Sequence, residues 1–159
     1  MDIIIYTDGS AIGNPGPGGY GVVLMAGQHR KEISQGYRFT TNNRMELMAV
    51  IAGLEALKIP QSTVLIFTDS QYVFKAVEMK WVFGWEKKNF AGKKNADLWK
   101  RFLKAYRCHS VTFDWVKGHA GNRENERCDY LAVAAAKSQQ LLEDAEYEFQ
   151  NKLAPNILL

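Results

Sequence analysis

Asp8 and Asp69 sit in the same local setting, Tyr6-Thr7-Asp8-Gly9-Ser10 in one place and Phe67-Thr68-Asp69-Ser70 in the other. Each follows an apolar run rich in β-forming residues. A carboxylate beside the end of a buried strand is costly unless it is paired, hydrated or bound to a cation. Taken singly, each also reads as the start of a turn, which Asp before Gly or Ser often makes. The repetition favours a shared task. If the two strands are neighbours, both groups converge on one edge of the sheet, where open sheets bind ligands outside their strand ends.

Two further carboxylates and one histidine are candidates for the same site. Glu46 borders the apolar stripe of a helix, although Asn43-Arg44-Met45-Glu46 also resembles a capping box with Asn43 as N-cap. Asp129 sits beside a second helical stripe, next to Cys128, and reads equally as a surface residue. His119 lies in Lys117-Gly118-His119-Ala120-Gly121-Asn122, where flanking glycines suit an exposed imidazole better than a packed one. Four carboxylates gathered in one place could not all stay ionised without counter-charge. Oxygen ligands without paired cysteines or histidines favour Mg²⁺ or Mn²⁺ over Zn²⁺. Two such ions about 4 Å apart clamp the attacking and leaving oxygens of an in-line phosphoryl displacement. The chemistry of such a site is phosphodiester hydrolysis.

These groups need a frame to hold them. Ile3–Tyr6 and Val64–Phe67 are continuous apolar runs suited to central strands covered on both faces. Tyr20–Met25 and Lys31–Phe39 flank Ala26-Gly27-Gln28 as a hairpin, and Ser110–Val116 alternates as another strand. Residues 44–57 predict a helix, with Leu47, Val50, Ile51 and Leu54 on one face and Pro60 beyond its end. Residues 70–105 read as helix in pieces, broken near Asn89–Asn95. A last helix covers about 124–137, with Cys128, Leu131, Ala132 and Ala135 as its apolar stripe. Strands first and helices interleaved later predict a mixed sheet with helices packed on its faces. The stretch 138–159 is left open between a frayed end and a docked terminal helix.

Gly16-Pro17-Gly18-Gly19-Tyr20-Gly21 satisfies G-x-G-x-x-G, but it runs into Val22-Val23-Leu24-Met25, which reads as a strand. A dinucleotide site needs that loop to open a helix, so a tight connection between strands is the better account.

The chain of 159 residues fits one domain, 1–159, with ordinary globular composition. Two cysteines, Cys108 and Cys128, make neither a disulfide framework nor a zinc pattern. Met1-Asp2-Ile3-Ile4-Ile5 lacks the basic start of a signal peptide. No apolar run approaches the roughly 20 residues that span a bilayer. The expectation is a cytoplasmic protein with no membrane partner. Net charge is +3, yet residues 75–104 hold nine basic and three acidic residues together with Trp81, Trp85 and Trp99. Such a segment is either a polyanion-binding surface or a solvated helical face with tryptophans turned to the core.

Together these stretches resemble the type 1 ribonuclease H family. The resemblance rests on Thr7–Ser10, Gly13–Gly21, Thr40–Leu47, Thr68–Val73, Trp115–His119 and Asn125–Asp129, in family order over roughly residues 3–137. It implies an α/β fold, a five-stranded mixed sheet flanked by helices, and an endonuclease that cuts the RNA strand of RNA–DNA hybrids. It further implies two Mg²⁺ ions, with Mn²⁺ a possible substitute, held by Asp8, Glu46, Asp69 and Asp129. His119 would assist product release or proton transfer, and the products would carry 5′-phosphate and 3′-hydroxyl ends. Asn14, Asn42, Asn43 and Gln71 occupy positions that line the minor groove, where amides suit the 2′-hydroxyl as donor and acceptor. Thr41 and Asn95 match a pocket for a DNA-strand phosphate. The arginine expected beside Thr41 is displaced, with Arg38 one place early and Phe39 in its position. Trp81, Trp85, Lys87, Lys88, Lys93 and Lys94 match a basic protrusion that contacts the hybrid. The expected protein is a monomer; the alternatives are a related metal nuclease of the same fold and a non-catalytic hybrid-binding module.

Overall fold

The computed structural model describes residues 2–116 and 121–157, the side chains of 152–157 apart. Elements follow in the order β1 (Asp2–Ala11), β2 (Gly16–Ala26), β3 (His29–Thr40), α1 (Asn42–Glu55), β4 (Thr63–Thr68), α2 (Gln71–Glu78), α3 (Trp81–Lys87), α4 (Ala96–Tyr106), β5 (Ser110–Trp115), α5 (Arg123–Ala136), β6 (Leu141–Leu142) and α6 (Ala145–Ile157). The sheet runs β5-β4-β1-β2-β3-β6. Strands β1, β2 and β3 form an antiparallel meander, whereas β4 pairs parallel with β1, and β5 parallel with β4. All five expected strands occur. The sixth, β6, adds two residues parallel to the edge of β3 at Gly36 and Tyr37. A two-residue strand is too short to leave an alternating pattern in the sequence, which is why it went unread.

Alternation along the strands divides the molecule into layers. Ile3 and Ile5 of β1, Tyr20, Val22 and Leu24 of β2, and Val64 and Ile66 of β4 turn to one face. There they meet Leu47, Val50, Ile51 and Leu54 of α1, Leu98, Trp99, Phe102 and Leu103 of α4, and Val73 and Val77 of α2. Trp99 is fully buried in this core, so one of the three tryptophans of the basic segment is structural. The opposite face is covered by α5 through Cys128, Ala132 and Ala136.

Helix α1 starts earlier than its apolar period implies. Thr41 is the N-cap, its hydroxyl accepting from the Arg44 N–H at 3.2 Å. That places Glu46 beyond the first turn and removes the capping-box reading, in which Asn43 was the cap.

The segment after α5 is docked. Arg44, only 2% exposed, donates from Nε to Asp144 Oδ2 at 2.7 Å and from Nη2 to Asp97 Oδ2 at 2.8 Å. Thr40 Oγ1 donates to the same Asp144 oxygen at 2.7 Å. Arg38 pairs with Glu148 at 2.9 Å, and Phe39 packs against Tyr147 with ring centroids 5.4 Å apart. One buried guanidinium therefore ties α1 to α4 and to the chain ahead of α6. Of the two possibilities for the terminal stretch, docking holds.

Candidate active site

The parallel pairing of β1 with β4 runs from Asp2 opposite Thr63 to Tyr6 opposite Phe67. Two more residues in that register bring Asp8 and Asp69 side by side at the ends of the two central strands. Helix α1 crosses above them and supplies Glu46. Carboxylate oxygens of Asp8, Glu46 and Asp69 all lie within 4.8 Å of one another. The Gly9 N–H donates to Asp8 Oδ1 at 2.8 Å and to Glu46 Oε1 at 2.5 Å, so one backbone donor serves both acids. A Cβ on Gly9 would collide with the backbone of Met45 and Glu46. That close approach, and not merely a turn, requires the glycine after Asp8.

Crowding shows in the acidities. Burial, then the neighbouring Asp69 charge, pushes Asp8 from its ordinary 3.8 up to about 7. Glu46 is raised well above the usual carboxylate range by burial and by Asp8. The cluster is thus unstable as a set of bare anions at neutral pH and suits a hard divalent cation with oxygen ligands. Cys128 lies nearby, but burial pushes its thiol far up, which makes it a core residue with no nucleophilic role.

Asp129 reaches the same cavity from the other face of the sheet. It lines a space of about 400 Å³ with Asp8, Glu46 and Asp69. Its position depends on α5 lying very close to the sheet. A Cβ on Gly21 would strike the Cys128 carbonyl, one on Gly19 the Ala132 carbonyl, and one on Gly36 the Ala135 carbonyl. The glycine run that mimics a nucleotide loop lies within β2, where the sequence implied a connection between strands, and its Gly19 and Gly21 serve helix–sheet packing. Sequence reading missed these residues. Glycines at alternate positions of a strand, opposite a helix rich in alanine, were the available signal.

Asn42, Asn43 and Gln71 line the carboxylate cavity. Asn14, Thr41, Lys94 and Asn95 meet in an adjoining one, which shares Asn42 and Asn43. Asn95 adopts φ 64°, a left-handed conformation that asparagine tolerates better than most residues. Its amide bridges Arg44 and the Tyr72 hydroxyl. Trp81 is exposed on α3, whereas Trp85 is half-buried, edge-on to Trp99 at 5.7 Å. Lys93 Nζ sits 5.0 Å over the Trp85 ring, and Lys87, Lys88 and Lys94 are exposed. The protrusion thus presents its charge outward while Trp99 anchors it. His119 lies outside the described residues.

Residues 1–137 match the sequence profile of the RNase H family. The chain belongs to that family. Ribonuclease H of Desulforamulus reducens is 56% identical over 145 residues, covering 88% of this chain and 91% of the relative. Ribonuclease H of Syntrophus aciditrophicus is 54% identical over 150 residues, 91% of this chain and 86% of the relative. Among solved structures, LC9-RNase H1, a type 1 RNase H with the type 2 active-site motif, superposes with a TM-score of 0.78 at 30% identity, over 98% of this chain and 83% of that one. LC11-RNase H1, solved in complex with an RNA/DNA hybrid, gives 0.64 at 28% identity over 84% and 96%. Membership of the RNase H family implies dependence on a divalent metal, and the carboxylate cluster fits that requirement. Among the described residues, no helix is long and apolar enough to cross a membrane.

Proposed function

We propose that this chain is a ribonuclease H that hydrolyses the RNA strand of RNA–DNA hybrids, leaving 5′-phosphate and 3′-hydroxyl ends. The observation that carries this reading is the meeting of Asp8, Glu46 and Asp69 within 4.8 Å at the ends of two parallel strands. The ribonuclease H relatives and the hybrid bound by LC11-RNase H1 support the substrate class.

Asp8, Glu46, Asp69 and Asp129 would hold two Mg²⁺ ions, with Mn²⁺ able to replace them. Bound there, the cations would supply charge neutralisation to the attacking and leaving oxygens. The protein contributes position. Gly9 fixes two of the acids through one N–H. Asn43 and Gln71 offer amides beside the carboxylates, where they could both donate to and accept from a 2′-hydroxyl, and Asn42, whose Oδ1 already accepts from the Ala11 N–H, would offer its donors. Asn14 lies one shell further along the same surface, bonded through its Oδ1 to the Asn42 N–H at 2.9 Å. Lys87, Lys88, Lys93 and Lys94, with Trp81 and Trp85, would bind the hybrid backbone on the protrusion. His119 takes proton transfer or product release in this scheme, on the family resemblance alone. The same reading makes the protein a cytoplasmic monomer with one domain over 1–159, in keeping with two free cysteines.

Incubation of end-labelled hybrid, duplex DNA and a four-way junction, each with and without Mg²⁺, tests the proposal. Cleavage of the hybrid alone, lost in Asp69→Asn, is the expected result. Equal cutting of duplex DNA or of the junction would make the protein a different metal nuclease. Hybrid binding without Mg²⁺-dependent cleavage would make it a binding module.

A further inference from the structure

Three of the four acids form a group of their own. Asp8, Glu46 and Asp69 sit within 4.8 Å of one another, while Asp129 lines the same cavity without joining that group among the described residues. Asp129 is carried by α5, so whatever seats the start of that helix decides how near the fourth carboxylate comes to the other three.

The middle and end of α5 are seated by packing. Cys128, Ala132 and Ala136 are buried, and the helix backbone lies against Gly19, Gly21 and Gly36. The first turn has no such anchor. Ahead of Cys128 the one buried side chain of the helix is Asn125, and its Nδ2 has no hydrogen-bond partner among the described residues. A buried donor left unpaired opposes the closed position of that turn. Asn122 caps the helix, its Oδ1 accepting from the Asn125 N–H at 2.9 Å, but a cap holds the helix to itself and not to the sheet.

What joins this turn to the sheet is a chain of four charges. Arg30 of β3 donates from Nε to Glu124 Oε2 at 2.9 Å and from Nη2 to Glu124 Oε1 at 2.8 Å, and its Nη1 donates to Glu32 Oε2 at 3.0 Å. Arg127 grips Glu32 from the helix side, through Nε at 2.7 Å and Nη2 at 2.9 Å. Its guanidinium also lies 5.0 Å over the Tyr130 ring. Acid and base alternate as Glu124, Arg30, Glu32 and Arg127, with bidentate pairs joining residues 94 and 95 positions apart. A single exposed ion pair contributes little, whereas a bidentate network with shared partners is the exception. Residues 124 and 127 are three apart and share one face of the helix, so the chain holds α5 at two points just ahead of Asp129.

We propose that Arg30 and Glu32 are positioning residues for the metal site. Through Glu124 and Arg127 they hold the first turns of α5 against the β2–β3 hairpin and so bring Asp129 within reach of an ion shared with the other acids. The inference rests on the hydrolase reading, in which Asp129 is a ligand, and adds two residues outside the carboxylate cavity.

The test compares wild type with Arg30→Gln/Glu32→Gln and with Glu32→Asp in the full chain. Mn²⁺ titration followed by electron paramagnetic resonance, without nucleic acid, reads ion affinity directly. The weaker of two apparent dissociation constants should rise about fivefold in the glutamine pair, the scale of an exposed bidentate network, while the tighter one holds. Glu32→Asp keeps the charge and should stay within about twofold of wild type. Amide exchange of the metal-free glutamine pair should quicken at 123–128 and match wild type at 130–136. On hybrid, its kcat at sub-saturating Mg²⁺ should fall about fivefold and recover at higher Mg²⁺, with KM within about twofold. A lowered Tm with wild-type ion affinity would make the chain merely structural, and wild-type exchange at 123–128 would mean that it does not hold the turn; either result overturns the inference. Asp129→Asn run alongside separates it from the parent reading. Loss of the weaker ion there, with the glutamine pair unchanged, sinks only the positioning role; wild-type ion binding by Asp129→Asn sinks the ligand assignment and the inference with it. Failure of wild type to cut hybrid, with ion affinities shifting as expected, sinks the substrate reading and leaves the positioning role standing.

Discussion

Asp8→Asn should stabilise the metal-free protein at alkaline pH while abolishing hybrid cleavage. In the fold, Asp8 is 6% exposed, and burial together with Asp69 raises its carboxyl from 3.8 to about 7. A folded-state pKa above the unfolded one contributes stability that is fully present below pH 3.8 and is lost as pH rises through about 7. At pH 8 that shift corresponds to about 4 kcal/mol of lost stability, at roughly 1.4 kcal/mol per unit. Asparagine removes the charge, and its Oδ1 can still accept the Gly9 N–H. Burial of its amide offsets part of the gain, by about 1–3 kcal/mol. The net stabilisation at pH 8 is therefore about 2 kcal/mol, or roughly 4–8 °C in Tm for a chain of this size. Urea unfolding in a chelating buffer from pH 4 to 8 measures it. The advantage of the variant over wild type should grow across that range and shrink when Mg²⁺ is added, because the cation relieves wild type only. A difference that stays flat with pH, or a variant less stable than wild type at pH 8, would refute the account of a crowded acid cluster.

Other outcomes follow from the same geometry. Gly21→Val should cost at least about 2 kcal/mol and reduce cleavage, because its side chain would meet the Cys128 carbonyl and lift α5 with Asp129; an unchanged Tm would show that α5 is not held so closely. Arg44→Met leaves Asp144 and Asp97 without their cation and should destabilise by about 3–5 kcal/mol in urea titrations, whereas a loss below about 1 kcal/mol would mean the clamp is dispensable. Lys87→Ala with Lys88→Ala should flatten the dependence of log Kd on log salt by about two, measured by hybrid titration at several ionic strengths; a parallel slope would exclude these lysines from phosphate contact.

Much of this was legible in the chain because it was locally encoded. The apolar runs ending in Asp8 and Asp69 marked both central strands and both acids, and the side-by-side arrangement, legible only on condition that the strands are neighbours, is what the register of β1 and β4 produces. The period of α1 was equally clear, but its start was not. Thr41, Asn42 and Asn43 are all good caps, and what selects Thr41 is distant: Asn42 spends its side chain on the Ala11 N–H. The Arg44 clamp was illegible for the same kind of reason, since its acids lie 53 and 100 positions away. Arginine on a polar-looking helix start gives no sign of being almost wholly enclosed. In the basic segment, the tryptophans divide between core and surface. Trp99 went to the core, while the lysines stayed outside.

The glycines under α5 carry a consequence for how such a site can be altered or transplanted. The distance between the fourth acid and the other three is set by hydrogen atoms at Gly19, Gly21 and Gly36, where no side chain intervenes. Every replacement at those positions is larger, so drift has no neutral first step there. A designer who grafts the acids onto another sheet and leaves those small residues behind would obtain the right functional groups held too far apart to share an ion.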